Sequence, residues 1–148
     1  MRKRTLAREH ALKIFYQAEI TRRDIIQAAQ IFWSEKEDQD KVVREFSDRI
    51  TAGTQGRLDD IDKMISKYAT NWQIKRMAVI DRNVLRLGVY ELLYAPDIPP
   101  KVTINEAVDL AKKYGDLDSS KFVNGILDKI HKSELKDKEK EKEKEVSE

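Results

Sequence analysis

Four cations crowd the first eight residues: Arg2, Lys3, Arg4 and Arg8 precede and enter a stretch with helical apolar spacing. Guanidinium and ammonium groups beside the free backbone N–H groups of a helix start can converge on a phosphate. The same cations oppose the helix macrodipole, at a cost of about a few tenths of a kcal/mol each, so local stability does not explain them. A merely solvated basic arm is the equally simple alternative. A second cation–aromatic juxtaposition, Lys121 beside Phe122, has the composition of a single-stranded nucleic-acid contact, although helical spacing favours the core for Phe122 over a stacking platform. Tyr16 lies off the apolar stripe of its helix, where it serves either a protein partner or a solvated rim. Asp81, Arg82, Arg86 and Glu91 fall on a helix that is apolar on nearly every side, so each must reach water, an ion-pair partner or another molecule. Internal pairing is assigned to Glu91 and left open for the other three.

Catalytic chemistry is harder to assemble. The 148 residues contain no cysteine and two histidines, His10 and His131, near opposite ends of the core segment. Disulfides, thiolate metal sites and thiol nucleophiles are thereby excluded, and a histidine metal centre is disfavoured. No phosphate-cradling glycine loop, HExxH or GxSxG is present. Asp59 and Asp60 open a charged helical segment, where the macrodipole accounts for them better than acid–base work does. The expectation is a binding protein, with no enzyme activity, cofactor or metal. Charged residues make up 38% of the chain, yet the net charge is only +2, so distribution carries the electrostatic argument. Residues 1–23 hold seven basic residues against two acidic ones, and all the excess positive charge lies there. No apolar run approaches the roughly 20 residues of a membrane span, and no signal-like apolar stretch follows the basic start, which points to the cytoplasm.

The elements that must position these residues read as helices throughout. The 40% hydrophobic content supports one core, and five glycines and three prolines punctuate the chain. Ala7, Ala11, Ile14, Phe15 and Ala18 define a first helix over about 5–20, with Arg4 and Arg8 expected at its exposed end. Further helices are expected over about 24–33, 39–52 and 57–67, with Gly53 and Gly56 flanking a break and TNWQ forming a turn. A buried central helix follows over about 75–94, ended by the proline-bearing loop APDIPPK. Thr103 and Glu106 stand at capping-box spacing, with Gly115 as the C-terminal stop. A last core helix covers about 120–130, and its internal Gly125 suggests a close helix or ligand contact. Residues 1–131 form the domain, and the Lys/Glu-rich residues 132–148 are expected to be a frayed or disordered tail.

Four stretches carry a family resemblance: RTLAREHALKIFYQAEI from Arg4, RLGVYELL from Arg86, INEAVDLAK from Ile104 and KFVNGILD from Lys121. In order, across about residues 2–131, they resemble the NusB family of bacterial transcription antitermination factors. The resemblance implies an all-helical domain of about seven helices in two subdomains, the first carrying the basic N-terminus. It also implies binding of boxA RNA in ribosomal RNA leader transcripts, as a heterodimer with the ribosomal protein NusE. Other Nus factors and RNA polymerase would complete the complex, and no bond would be made or broken. Carried over, the RNA contact falls on Arg2, Lys3, Arg4 and Arg8, assisted by Asp118, Lys121 and Phe122. The NusE face falls on Tyr16, Asp81 and the exposed side of the central helix near Arg86. Thr5 and Leu6 interrupt the basic cluster, and the Lys/Glu tail has no counterpart in the family. A free homodimer hiding the RNA surface is compatible with the resemblance. The rivals are the NusB-like N-terminal domain of RNA cytosine methyltransferases and a helical protein scaffold without RNA affinity.

Overall fold

The computed structural model describes residues 2–135, which form seven α-helices and no strand. Side-chain caps and proline set several of the boundaries. α1 (Lys3–Thr21) ends where Arg22 takes a left-handed conformation (φ 55°) and its N–H turns back to the Ala18 and Glu19 carbonyls. The Asp24 carboxylate accepts from Gln27 N at 2.7 Å to start α2 (Ile25–Ser34). Asp40 accepts from Val42 N and Val43 N to start α3 (Lys41–Gly56). The break expected at Gly53 does not occur. α3 runs through it because the missing Cβ admits the Tyr90 ring, whose Cε2 would lie 2.3 Å from a Cβ at that position.

α4 (Leu58–Tyr68) carries Asp59 and Asp60 in its first turn, where the macrodipole favours them. A short 3-10 turn (Ile74–Arg76) precedes α5 (Val79–Tyr94), which starts four residues later than expected because Met77 and Ala78 are extended. The capping box read at Thr103 and Glu106 is corrected. α6 (Pro100–Tyr114) begins at Pro100, whose fixed φ suits the first helical position and whose absent N–H needs no cap. Thr103 and Glu106 are therefore interior positions, and both serve tertiary hydrogen bonds. Asp116 accepts from Ser119 N at 2.7 Å and starts α7 (Leu117–Ile130) three residues before the expected point. A π-helical turn (His131–Leu135) continues it. Glu134 accepts from Lys67 Nζ and Tyr68 Oη, and Leu135 packs partly buried on the core, so the domain extends past the expected end at 131. The remainder of the expected tail, 136–148, lies outside the described residues.

α5 is the axis. α1 and α3 pack on it from one side with α2 behind them, and α4, α6 and α7 pack on it from the other, around one continuous core. Gly88 of α5 brings α7 close: a Cβ there would meet Leu127 Cδ1 at 2.7 Å. Gly125 has no such role, since nothing lies within 4 Å of the position its Cβ would take. Contacts along α5 fix the helix directions. Arg8 of α1 meets Glu91 near the α5 C-terminus and Glu19 meets Arg82 near its N-terminus, so the two helices are antiparallel. Thr5 bonds Glu106, and Glu9 accepts from Lys113 and Tyr114, so α6 runs alongside α1 in the same direction. α7 therefore begins at the end of the molecule where α5 begins.

Candidate nucleic-acid and partner interfaces

Three surfaces hold the residues singled out by sequence. The first is the start of α1. Arg2, Lys3 and Arg4 are exposed, no side chain caps the helix, and its first turn contains no acidic residue. Lys3 pairs with Asp40 at 3.1 Å across exposed surface, a contact worth little in water. The Arg4 guanidinium lies 4.5 Å from the Phe46 ring centroid, which orients it without satisfying its donors.

Arg8 does not belong to this surface, contrary to expectation. It is 2% exposed and donates to both Glu91 carboxylate oxygens, at 2.8 and 2.7 Å, with Glu106 a further 3.5 Å away. Glu91 is fully buried and also accepts from Thr103 Oγ1 at 3.0 Å. A buried carboxylate needs a fixed cation, and the planar two-donor geometry of arginine supplies it. The internal pairing expected of Glu91 is present, and its partner is the residue that sequence had assigned to RNA.

The second surface is the start of α7. Asp118 and Lys121 are exposed and make no ion pair among the described residues. Phe122 divides its ring between the core and an edge-to-face contact with Trp72, centroids 5.8 Å apart at 71°. The arm and this patch do not adjoin, so the single groove considered from sequence is not formed. The levels of Glu91 and Ile80 on α5 differ by about 16 Å at 1.5 Å per residue, with the arm at one level and the α7 start at the other.

The third surface is a groove of about 770 Å³ between α1, α2 and the start of α5. Leu12, Tyr16, Ile31, Phe32, Ile80 and Tyr114 line it, and Tyr16 and Ile31 are 39% and 37% exposed. Asp81 follows Ile80, with Oδ1 buried and accepting no hydrogen bond within the protein. Arg86, expected on an exposed face of α5, is corrected: its side chain is 14% exposed, donating to both Asp62 oxygens and to Glu19 Oε1. Arg82 is likewise consumed, by both Glu19 oxygens and the Ile74 and Met77 carbonyls. His10 packs against Phe32 and Trp33, and burial lowers its pKa, which keeps the ring neutral. Among the described residues no three His, Cys, Asp or Glu side chains cluster as metal ligands, and no helix is long and apolar enough to cross a membrane.

The Glu19 cluster has a pH signature. Arg82 hydrogen bonds hold the Glu19 carboxyl below its ordinary value of 4.5, against an opposing effect of burial. A pKa lowered by folding adds stability above the unfolded value and loses it as pH falls through the folded one. The Tm difference between wild type and Glu19→Gln should be widest near neutral pH and close progressively below about 4.5. A difference that does not change with acid would contradict this assignment.

Sequence reasoning missed Trp72, Phe46 and the apolar groove. Trp72 lies in a turn without periodicity, whereas Ile31 and Phe32 were available as apolar residues too numerous for the buried face of α2.

The helical frame thus presents three candidate interfaces on an all-helical protein. The profile of the NusB family matches residues 5–132, and the chain belongs to that family. The transcription antitermination protein NusB of Thermodesulfovibrio yellowstonii is 42% identical to it over 142 residues, covering 90% of this chain and 94% of the relative. The structure of T. maritima NusB is similar with a TM-score of 0.80 and 42% identity, over 90% of this chain and 92% of that one. A NusB chain in the crystal structure of antitermination factors NusB and NusE in complex with dsRNA is similar with a TM-score of 0.81 and 32% identity, covering 90% and 98%.

Proposed function

We propose that this chain is a transcription antitermination factor that binds boxA-type single-stranded RNA of ribosomal RNA leader transcripts as a heterodimer with NusE. The observation that carries the reading is the α1 start, where the exposed Arg2, Lys3 and Arg4 open a helix whose first N–H groups no side chain caps. Phosphates bind there through charge and free donors together. Lys121, Asp118 and Phe122 take a second part of the strand at the far end of α5, so the RNA crosses the molecule rather than filling one groove. The apolar groove beside Tyr16 and Asp81 receives NusE, whose similarity-based support is the solved NusB–NusE complex. Recruitment is the mechanism: the pair holds nascent transcript near RNA polymerase and the other Nus factors, with no covalent step.

Asp81→Lys tests the partner face. A cation beside the groove reverses the charge that the Asp81 carboxylate supplies there, and NusE affinity should fall by at least about tenfold. Size-exclusion chromatography with calorimetric titration measures it. Unchanged pairing moves NusE off this face, and pairing of the chain with itself through the groove identifies a homodimer instead. Duplex RNA belongs in the same experiments, because the solved complex contains it. Preference for the duplex would overturn the single-strand reading.

A further inference from the structure

We propose that Trp72 forms, with Phe122, a stacking step for the bases of single-stranded RNA; the resemblance had pointed to Phe122, and Trp72 is the added residue. The proposal rests on the RNA reading above and extends it to a residue outside the α7 start. The chain has two tryptophans with opposite environments. Trp33 is 3% exposed, enclosed by His10, Phe32 and the Arg44 guanidinium. Trp72 is 56% exposed, on the turn closed by its N–H to the Ala69 carbonyl at 3.0 Å. Its ring contact is the edge-to-face one with Phe122, which sets the indole plane and leaves most of its surface in water. An indole oriented in this way and left open is a pre-set face for another flat group.

The surroundings choose a nucleotide over an apolar protein segment. A groove of about 620 Å³ adjoins the indole, lined by Ser66, Thr70, Asn71, Gln73 and Lys75 together with the apolar Ala69 and Ile74. Hydroxyls and side-chain amides offer both donors and acceptors to base edges. The groove at Tyr16 is lined by Lys13, Arg23 and Glu35 as well as by Leu12, Ile31, Phe32 and Ile80, and it offers the larger apolar surface of the two, as a protein contact would. Lys75 on the groove wall, Arg76 beside it and Lys121 beside Phe122 are exposed and form no ion pair among the described residues. Alternating rings and cations are what hold single strands with little sequence preference. Asp116 and Asp118 are the opposing charges at the α7 start; Asp116 is engaged by the Ser119 N–H as the helix cap, and the helix dipole partly offsets Asp118 in the first turn.

The test uses the full chain with NusE and a fluorescein-labelled boxA-type single-stranded RNA, read by polarisation, and the same RNA unlabelled for tryptophan emission. RNA should quench the emission, and subtracting the Trp72→Phe variant isolates the part from the exposed indole. Trp72→Ala should weaken binding roughly tenfold without changing the salt slope, because no phosphate contact is lost. Trp72→Phe, which retains a ring, should keep most of the affinity. The position is exposed, so circular dichroism of both variants should match wild type. RNA that binds without quenching, together with Trp72→Ala binding as wild type does, overturns this proposal and leaves the RNA reading standing. Absence of RNA binding by the wild-type chain with NusE overturns both.

Discussion

Arg8→Ala is expected to lower the free energy of unfolding by about 3–5 kcal/mol, the range for breaking a buried ion pair from one side. The variant leaves the Glu91 carboxylate, at 0% exposure, with Thr103 Oγ1 as its remaining hydrogen-bond donor. It also removes the guanidinium that ties α1 to α5 and, through Glu106, to α6. Chemical denaturation measures the effect as a fall in midpoint at unchanged slope. Replacing both partners, as Arg8→Met with Glu91→Leu, should recover most of the loss, since the cost lies in the stranded charge rather than in the absent pair. A loss below about 1 kcal/mol for Arg8→Ala would show that water reaches Glu91 and that the pair is not buried in solution. Any failure of Arg8→Ala to bind RNA therefore reports on folding before it reports on contacts.

Replacing Arg2, Lys3 and Arg4 together by alanine should do the opposite. Stability should hold or rise slightly, because three cations at a helix N-terminus oppose the macrodipole by about a few tenths of a kcal/mol each. RNA binding should fall sharply. Three phosphate contacts at about 0.7 each reduce the log–log salt slope by about 2, which at 50 mM salt corresponds to a loss on the order of 10²–10³ in affinity. Polarisation over a salt series gives both quantities. An unaltered slope would place the phosphate contacts elsewhere, with the α7 start and the Lys75 wall among the remaining cationic surfaces.

Local order was legible in the sequence wherever spacing determined it. The apolar face of α1, the all-round burial of α5 and the need of Glu91 for an internal partner follow from short-range patterns, whereas α7 starts three residues before the expected point. Arg8 shows where such reading ends. Its offsets of three and seven residues from Ala11 and Phe15 put it on the buried face, but the carboxylate that makes burial tolerable is 83 positions away. Arg86 was misplaced for the same reason, its partners Asp62 and Glu19 being 24 and 67 positions distant. Pro100 outranked the Thr103–Glu106 spacing because a ring with fixed φ starts a helix wherever it fits. The separation of the basic arm from Lys121 depends on helix direction around α5, which periodicity does not encode.

The most direct measurement is a titration of labelled boxA RNA into this chain at two salt concentrations, with and without NusE. The account predicts weak binding by the chain alone, tighter binding with NusE, and a loss of affinity at the higher salt in both cases. Indifference to the RNA when NusE is present, or binding that ignores salt, would contradict it.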